Sequence, residues 1–138
     1  MSLHIRERYG LLINNEWVPA SDGAEFNVYN PANGEQLAVC AEATQADVDK
    51  AVAAATEAFK MWKTVSQVDR ADYLLKIADA IDAHKEHLAQ VETYDNGKPI
   101  RETLNVDIPL GADHFRYFAG VLRAEEGSAQ VFDEKIGR

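Results

Sequence analysis

Apolar residues in the first third of the chain form short runs that turn residues separate. Asn14-Asn15 lies between two such runs, and asparagine tolerates the positive φ angles that a tight hairpin requires. Asn33-Gly34 is a stronger turn signal of the same kind and lies between two further runs. The pattern predicts short antiparallel strands at residues 11–13, 16–18, 26–29 and 36–42.

The apolar spacing becomes helical from residue 44 onward. Thr44-x-x-Asp47 has the form of a capping box with Asp in the third position, and Ser66-x-x-Asp69 repeats the signal for a second helix. The apolar positions after the first cap recur at three- and four-residue intervals and therefore share one helix face. They are Val48, Ala51, Val52, Ala55, Phe59 and Trp62.

Two further helices are predicted beyond the second. The helical pattern breaks near His84-Lys85, resumes, and stops at Gly97, a residue suited to a left-handed C-cap. Pro109 opens the last helix at its first turn. The buried stripe predicted for that helix comprises Phe115, Phe118, Ala119 and Leu122, and Gly127 ends it before a predicted strand at 129–132. The fold class is therefore α+β, with short antiparallel strands followed by about four helices.

Composition narrows the class of protein. The chain has 138 residues, a length typical of one domain, and its 14 basic against 23 acidic residues give a net charge of −9. That charge repels phosphate backbones and anionic lipid, so we expect no nucleic-acid or membrane partner. No apolar run approaches the ~18 residues that span a bilayer, and the N-terminus has no apolar signal core. We therefore expect a cytoplasmic protein.

The side chains alone predict no complete active site. Cys40 is the only cysteine and falls within a predicted strand, with no adjacent helix N-terminus to lower its pKa, so we expect it to be structural. Neither a Gly-x-Gly-x-x-Gly motif nor a Walker loop occurs. His84 and His87 lie among charged residues on a predicted solvated helix face, and His114 adjoins the apolar stripe of the last helix at the edge of the core.

Whole strings of residues indicate more about the class of protein than the single side chains do. The relevant strings are INNEW at 13–17, NPANGE at 30–35, ATQADVDKAV at 43–52, ETYDNGKP at 92–99 and DHFRYFAG at 113–120. In this order and spacing they resemble the N-terminal part of the NAD(P)-dependent aldehyde dehydrogenase superfamily, from about residue 9 to about residue 134. The last two strings are most similar to bacterial enzymes that act on short aliphatic aldehydes.

The resemblance implies a reaction and indicates which part of the polypeptide supplies the reacting groups. In the family a cysteine thiolate attacks an aldehyde, hydride passes to NAD or NADP, and a glutamate-activated water releases the carboxylic acid. The nucleophile, the glutamate and the nucleotide-binding core correspond to positions beyond Arg138, and Cys40 does not match the nucleophile. We therefore expect this chain alone to be inactive and to bind no cofactor, with an aldehyde substrate only in the full-length enzyme.

Some family features do fall inside the segment. The resemblance places a structural cation near the backbone carbonyls of Val28 and Tyr29 and near Asp95, an oxygen-rich set that suits a hard cation. Val106 and Leu110 match positions that line the aldehyde tunnel. For each of these residues an ordinary structural role is the alternative: a helix-end residue for Asp95, and apolar packing for Val106 and Leu110.

The resemblance also organises the chain into one incomplete domain, the start of the α/β cofactor-binding domain. Residues 1–8 form a leader, 9–43 a β-rich part, 44–126 a helical part and 127–138 the start of the arm through which family members form oligomers, so a homo-oligomer is expected. A second hypothesis is a non-enzymatic assembly module that docks onto a full-length relative through exposed apolar helix faces. A third is a free-standing domain that binds a small ligand.

Overall fold

The computed structural model describes residues 5–126, and five short strands precede the helices. The predicted hairpin is confirmed: Asn14 and Asn15 adopt φ angles of 51° and 63° between β2 and β3, which pair antiparallel. The predicted strand at 129–132 and the end at Gly127 lie outside the described residues. The strands are β1 (Arg8–Tyr9), β2 (Leu11–Ile13), β3 (Glu16–Val18), β4 (Glu25–Tyr29) and β5 (Gln36–Ala41).

A three-stranded sheet has the order β1-β5-β4. β4 and β5 pair antiparallel, as predicted, with a register shift between Val28 and Tyr29. The prediction of antiparallel strands throughout is wrong for β1, which pairs parallel with β5 through Arg8 opposite Val39 and Tyr9 opposite Cys40. Part of the predicted leader is thus an edge strand, and an ion pair from Arg8 to Glu25 helps to hold it there.

The four predicted helices are present. α2 ends just before His84 and α3 begins just after it, so the predicted break is confirmed, and Gly97 caps α3 with a φ of 79°. Residues 100–107, which the sequence pattern left unassigned, form a short helix α4 and then a turn of π-helix that runs directly into the last helix. The bounds are α1 (Gln45–Trp62), α2 (Gln67–Ala83), α3 (Lys85–Asn96), α4 (Ile100–Glu102), the π-helical segment (Thr103–Asp107) and α5 (Ile108–Ala124).

Asp47 ties the start of α1 to the strand region. Its side chain is 3% exposed, and it completes the predicted capping box by accepting the Thr44 N–H at 3.0 Å. The same oxygen, Oδ2, accepts the N–H and the hydroxyl of Ser21 at 3.0 and 3.1 Å. Hydrogen bonds from the Ser21 and Thr44 N–H groups lower the pKa of Asp47 to about 2.

The depressed pKa of Asp47 predicts an acid-dependent loss of stability. An unfolded aspartate titrates near ~3.9, so the folded state gains stability from Asp47 above that pH and loses it as the pH falls toward about 2. Between pH 4 and pH 2 we expect the Tm of the wild-type chain to fall more steeply than that of Asp47→Asn, which has no carboxylate to protonate. Parallel curves of Tm against pH would contradict this assignment.

α2 and α5 pack closely because alanines line their contact. Ala71 and Ala78 on α2 and Ala112 and Ala119 on α5 are all buried. At the edge of this contact Arg116 donates to Asp79 and Asp82 at 2.9 and 2.7 Å.

The prediction that Phe118 is buried on α5 is wrong, because its side chain is 57% exposed. Small residues occupy the helix–helix contact, and the larger apolar side chains of α5 therefore point outward.

The described part of the chain buries few large apolar side chains. Its fully buried apolar residues are all alanines, whereas twenty large hydrophobic residues are exposed. A folded domain rarely leaves this much apolar surface in water without a partner. Within residues 5–126 no helix is both long enough and apolar enough to cross a membrane.

Candidate functional site

A small cavity lies between the three-stranded sheet and the last turns of α3. Its volume is about 240 Å³, and it is lined by Ile5, Tyr9, Val28, Leu37, Ala38, Cys40, Val91 and Asp95. Two of the three residues predicted to bind a cation, Val28 and Asp95, therefore meet at one place. Tyr29, the third, is not among the lining residues; it follows Val28 across the register shift in β4.

The cavity offers a hard cation only part of an oxygen shell. Asp95 is its one acidic side chain, and most of the other lining side chains are apolar. Across residues 5–126 no group of three His, Cys, Asp or Glu side chains is close enough together to hold a metal ion. Because Ca²⁺ takes six to eight oxygens and Mg²⁺ takes six, a cation here would need ligands from water or from a further part of the protein.

Cys40 lines the same cavity and is a half-buried free thiol in the central strand β5. It faces Tyr9 on one neighbouring strand and Phe26 on the other. Among the residues that the structure describes, neither a histidine nor a helix N-terminus lines this cavity. The structural role predicted for Cys40 stays a prediction.

The loop between β4 and β5 touches the end of α3 just beside this cavity. Asn30 is buried, and its backbone oxygen accepts the Gly34 N–H at 2.8 Å, which closes the turn. Next to it, Pro31 approaches Gly97 so closely that a Cβ at Gly97 would lie 2.9 Å from the Pro31 Cγ. Gly97 is thus required twice, for its left-handed backbone and for this contact.

Gly97→Ala is expected to destabilise the chain more than Gly34→Ala. Both glycines have a positive φ, but a Cβ at Gly34 meets nothing within 4 Å. In each variant the left-handed backbone conformation lowers the stability by about 1 kcal/mol. In Gly97→Ala the clash with Pro31 lowers it further. Urea unfolding measures both, and Pro31→Ala should remove most of the difference. Equal losses in the two glycine variants would contradict the contact.

The π-helical segment is anchored against α3 by Thr103. This side chain is completely buried, and its hydroxyl lies 3.0 Å from the Ala89 carbonyl oxygen and 2.8 Å from the Thr93 hydroxyl. Lys98 also pairs with Asp107 at the other end of the segment, at 2.5 Å. π-Helical turns occur often at functional sites because the extra residue redirects the side chains that follow.

Val106 and Leu110, the predicted tunnel residues, lie four positions apart on this redirected stretch. Both side chains are 48% exposed. Tyr117 and Val121, seven and eleven positions beyond Leu110 on α5, are exposed too. The structure therefore places Val106 and Leu110 on an open apolar face, with no wall opposite them within residues 5–126.

Comparison with known proteins identifies the family. The model of the aldehyde dehydrogenase family matches residues 17–136. The chain belongs to the aldehyde dehydrogenase family. It is 52% identical over 129 residues to an acetaldehyde dehydrogenase of Pseudomonas aeruginosa, covering 94% of this chain and 26% of that protein. An aldehyde dehydrogenase of Paracoccus denitrificans is 45% identical over 133 residues, which is 96% of this chain and 26% of the relative.

Solved structures of aldehyde dehydrogenases share the fold. The NAD⁺ complex of the Bacillus cereus enzyme matches with a TM-score of 0.88 at 39% identity, over 93% of this chain and 26% of that one. The chain thus spans about a quarter of the length of its relatives and corresponds to the N-terminal part of an aldehyde dehydrogenase. The family predicted from the sequence strings is confirmed.

Two of the strings that carried the resemblance meet in the structure. Pro31 belongs to the string at 30–35 and Gly97 to the string at 92–99, and they contact each other. Sequence reasoning used both strings without placing them together. It also missed Thr103 and the link from Ser21 to Asp47, because a threonine before an apolar run and a serine in a loop carry no distinctive pattern.

Residues 5–126 contain three histidines, and all three are exposed. His84 joins α2 to α3 and His87 lies in α3, on the solvated surface predicted for them. His114 was predicted at the edge of the core, but it too is exposed, on α5. None of them joins the cavity that Asp95 and Cys40 line.

Proposed function

We propose that this chain is the N-terminal portion of an enzyme that oxidises an aldehyde to a carboxylic acid with NAD or NADP. The observation that carries the proposal is the family match over residues 17–136, combined with a length of about a quarter of the relatives. The chain contributes the strands and helices that begin the cofactor-binding domain, and the reacting groups come from the rest of the enzyme. Alone, the 138-residue chain does not catalyse the oxidation of an aldehyde.

The residues of this chain do not fit a dinucleotide. A phosphate cradle needs glycines where a strand passes into a helix. The connection from β5 to α1, residues 42–44, reads Glu-Ala-Thr and contains no glycine. A nicotinamide cofactor accepts the hydride in this family's reaction. We assign the binding of that cofactor to residues outside this chain.

Cys40 is not the nucleophile in this proposal. A reactive thiolate needs a neighbouring base or positive charge and an approach path for the aldehyde. Cys40 lies in the middle of a three-stranded sheet, against a mostly apolar cavity. Its proposed role is packing.

We assign two supporting roles to residues of this chain. The carbonyls of Val28 and Tyr29 and the carboxylate of Asp95 contribute to a structural cation site, supported by the cavity that Val28 and Asp95 share. Val106 and Leu110 form one wall of the aldehyde tunnel, supported by their common exposed face. In both cases the missing half of the site is provided by the remainder of the enzyme. A cytoplasmic location and a homo-oligomeric state stay predictions.

A turnover assay tests the proposal. The purified chain, supplied with acetaldehyde and NAD or NADP, should form no reduced cofactor above the blank, as followed by absorbance. The Cys40→Ser variant should give the same trace. Aldehyde-dependent formation of NADH by the wild type, lost in Cys40→Ser, would overturn the proposal and make Cys40 a nucleophile.

A second candidate function is a non-enzymatic assembly module. The observation in its favour is the exposed apolar surface of α1 and α5, which is larger than a free-standing domain usually carries. Light scattering distinguishes the candidates. An assembly module associates stably with a full-length relative. An N-terminal portion of the enzyme associates only with a relative from which the corresponding N-terminal segment has been removed.

A further inference from the structure

One face of α1 is apolar along its whole length and, apart from the contact of Trp62 with Tyr73 at the last turn, is uncovered within residues 5–126. Four large side chains on it are exposed by 42 to 59%, and their spacing of four, seven and three residues keeps them in line. We call this surface the α1 face. It consists of Val48, Val52, Phe59 and Trp62, with Ala55 between them.

α1 contacts the rest of the described chain at its first turn, along the side that lies against β2, and at its last turn. Asp47 fixes the first turn through Ser21, and the Trp62 ring lies 5.5 Å from the ring of Tyr73 at the last turn. Beside Trp62 and Phe59 a groove of about 600 Å³ opens between α1 and α2. Most helices in proteins depend on burial of their apolar face, so an 18-residue helix with that face in water lacks its main stabilising contact.

We infer that the α1 face is a docking surface for the remaining three-quarters of an aldehyde dehydrogenase polypeptide. Relatives are about four times as long as the segment that matches, and one of them shares its fold with a TM-score of 0.88. The same helix therefore exists in proteins that have further chain to cover it. This inference rests on the proposed function and names the surface through which the two parts of the enzyme join.

Charge disfavours a second copy as the occupant. Each chain carries a net charge of −9, so two copies that meet face to face repel each other. The polar side of α1 is also occupied differently: Lys50 and Glu57 lie near Ile13 and Asn14 of the hairpin. The apolar side carries aromatic and branched side chains of the kind that anchor protein interfaces.

Fragment complementation tests the inference. The 138-residue chain is co-expressed with a tagged polypeptide made of the Pseudomonas aeruginosa acetaldehyde dehydrogenase from the position after the matched region to its end. We expect a stable complex on size-exclusion chromatography with light scattering. Val52→Asp and Phe59→Asp should each weaken it at least about 100-fold, because a carboxylate would be buried without a partner. Ala53→Asp introduces the same charge on an exposed position away from the α1 face and should leave the complex intact.

A second measurement keeps the test decisive if an Asp variant fails to fold. In the wild-type complex, hydrogen exchange of the α1 amides should slow at least about tenfold relative to the free chain, since docking suppresses local opening. The inference is wrong if no complex forms, if the tagged polypeptide stays aggregated in the presence of the chain, if Ala53→Asp weakens the complex as much as Val52→Asp, or if α1 gains no protection. Dimerisation of the chain through this face would also overturn it.

The outcomes separate the docking surface from the proposed function. A complex that depends on the α1 face but forms no NADH from acetaldehyde supports the docking and counts against the proposed function. Activity in a single joined polypeptide, without any complex from the two separate parts, supports the proposed function and overturns the docking.

Discussion

A hybrid polypeptide that joins residues 1–126 of this chain to the rest of the Pseudomonas aeruginosa acetaldehyde dehydrogenase is expected to oxidise acetaldehyde with NAD. The two proteins are 52% identical over 129 residues, so the exposed faces of α1 and α5 should find complementary surfaces in the joined protein. Enzymes accelerate their reactions about 10⁶-fold or more, and the separate chain lacks the groups that supply this. The initial rate of NADH formation is the measurement.

Two controls define the hybrid experiment. Cys40→Ser in the hybrid should retain the activity within about twofold, a factor that corresponds to only ~0.4 kcal/mol in the barrier. The unmodified relative, purified in the same way, sets the maximum rate. A hybrid that is folded and monodisperse but inactive would mean that this chain cannot serve as the N-terminal part of such an enzyme.

Thr103→Val should cause the largest loss of stability among single substitutions that preserve side-chain volume. The hydroxyl of Thr103 lies 3.0 Å from the Ala89 carbonyl oxygen and 2.8 Å from the Thr93 hydroxyl in the interior, and a methyl group there leaves the Thr93 hydroxyl without this partner. An unsatisfied buried polar group costs about 1–3 kcal/mol. At ~2–5 °C per kcal/mol for a chain of this size, the Tm should fall by about 2–15 °C.

Thr64→Val is the matched control for Thr103→Val. Its hydroxyl also donates to a backbone oxygen, that of Met61 at 2.7 Å, but the residue is exposed and water can replace the bond. Thr64→Val should therefore change stability by no more than ~0.5 kcal/mol. Thermal unfolding followed by circular dichroism compares the two. Similar losses would show that the buried hydroxyl of Thr103 is not important for the packing of α3 against the π-helical segment.

Local signals made much of the secondary structure predictable. The turn at Asn14-Asn15, the capping box from Thr44 to Asp47 and the glycine cap at Gly97 are set by residues within four positions of one another. Such interactions depend on backbone geometry and short side-chain reach, and a sequence shows both directly.

Features that depend on distant parts of the chain were not predictable. Arg8 and Tyr9 pair with β5 some thirty residues away, and two residues are too few for a periodic pattern. Phe118 was predicted to be buried because it follows a helical stripe, but the stripe records which side chains are apolar and not whether a partner covers them. The π-helical segment packs against α3 through the buried Thr103, a contact between positions 14 residues apart that no local signal shows.

The candidate site was predictable only through family resemblance. Val28 and Asp95 are far apart in the sequence, and neither residue type nor spacing suggests that they share a cavity. Their placement together agrees with the predicted cation site without testing whether a cation binds. Val106 and Leu110 likewise share a face, as four-residue spacing in a helix requires, and their assignment to a tunnel remains a prediction.

Calorimetric titration with NAD tests the central claim most directly, since that claim assigns cofactor binding to polypeptide outside this chain. The 138-residue chain should show no saturable heat of binding, whereas the hybrid, titrated under the same conditions, should bind NAD with saturation. Saturable binding of NAD to the separate chain would contradict the claim.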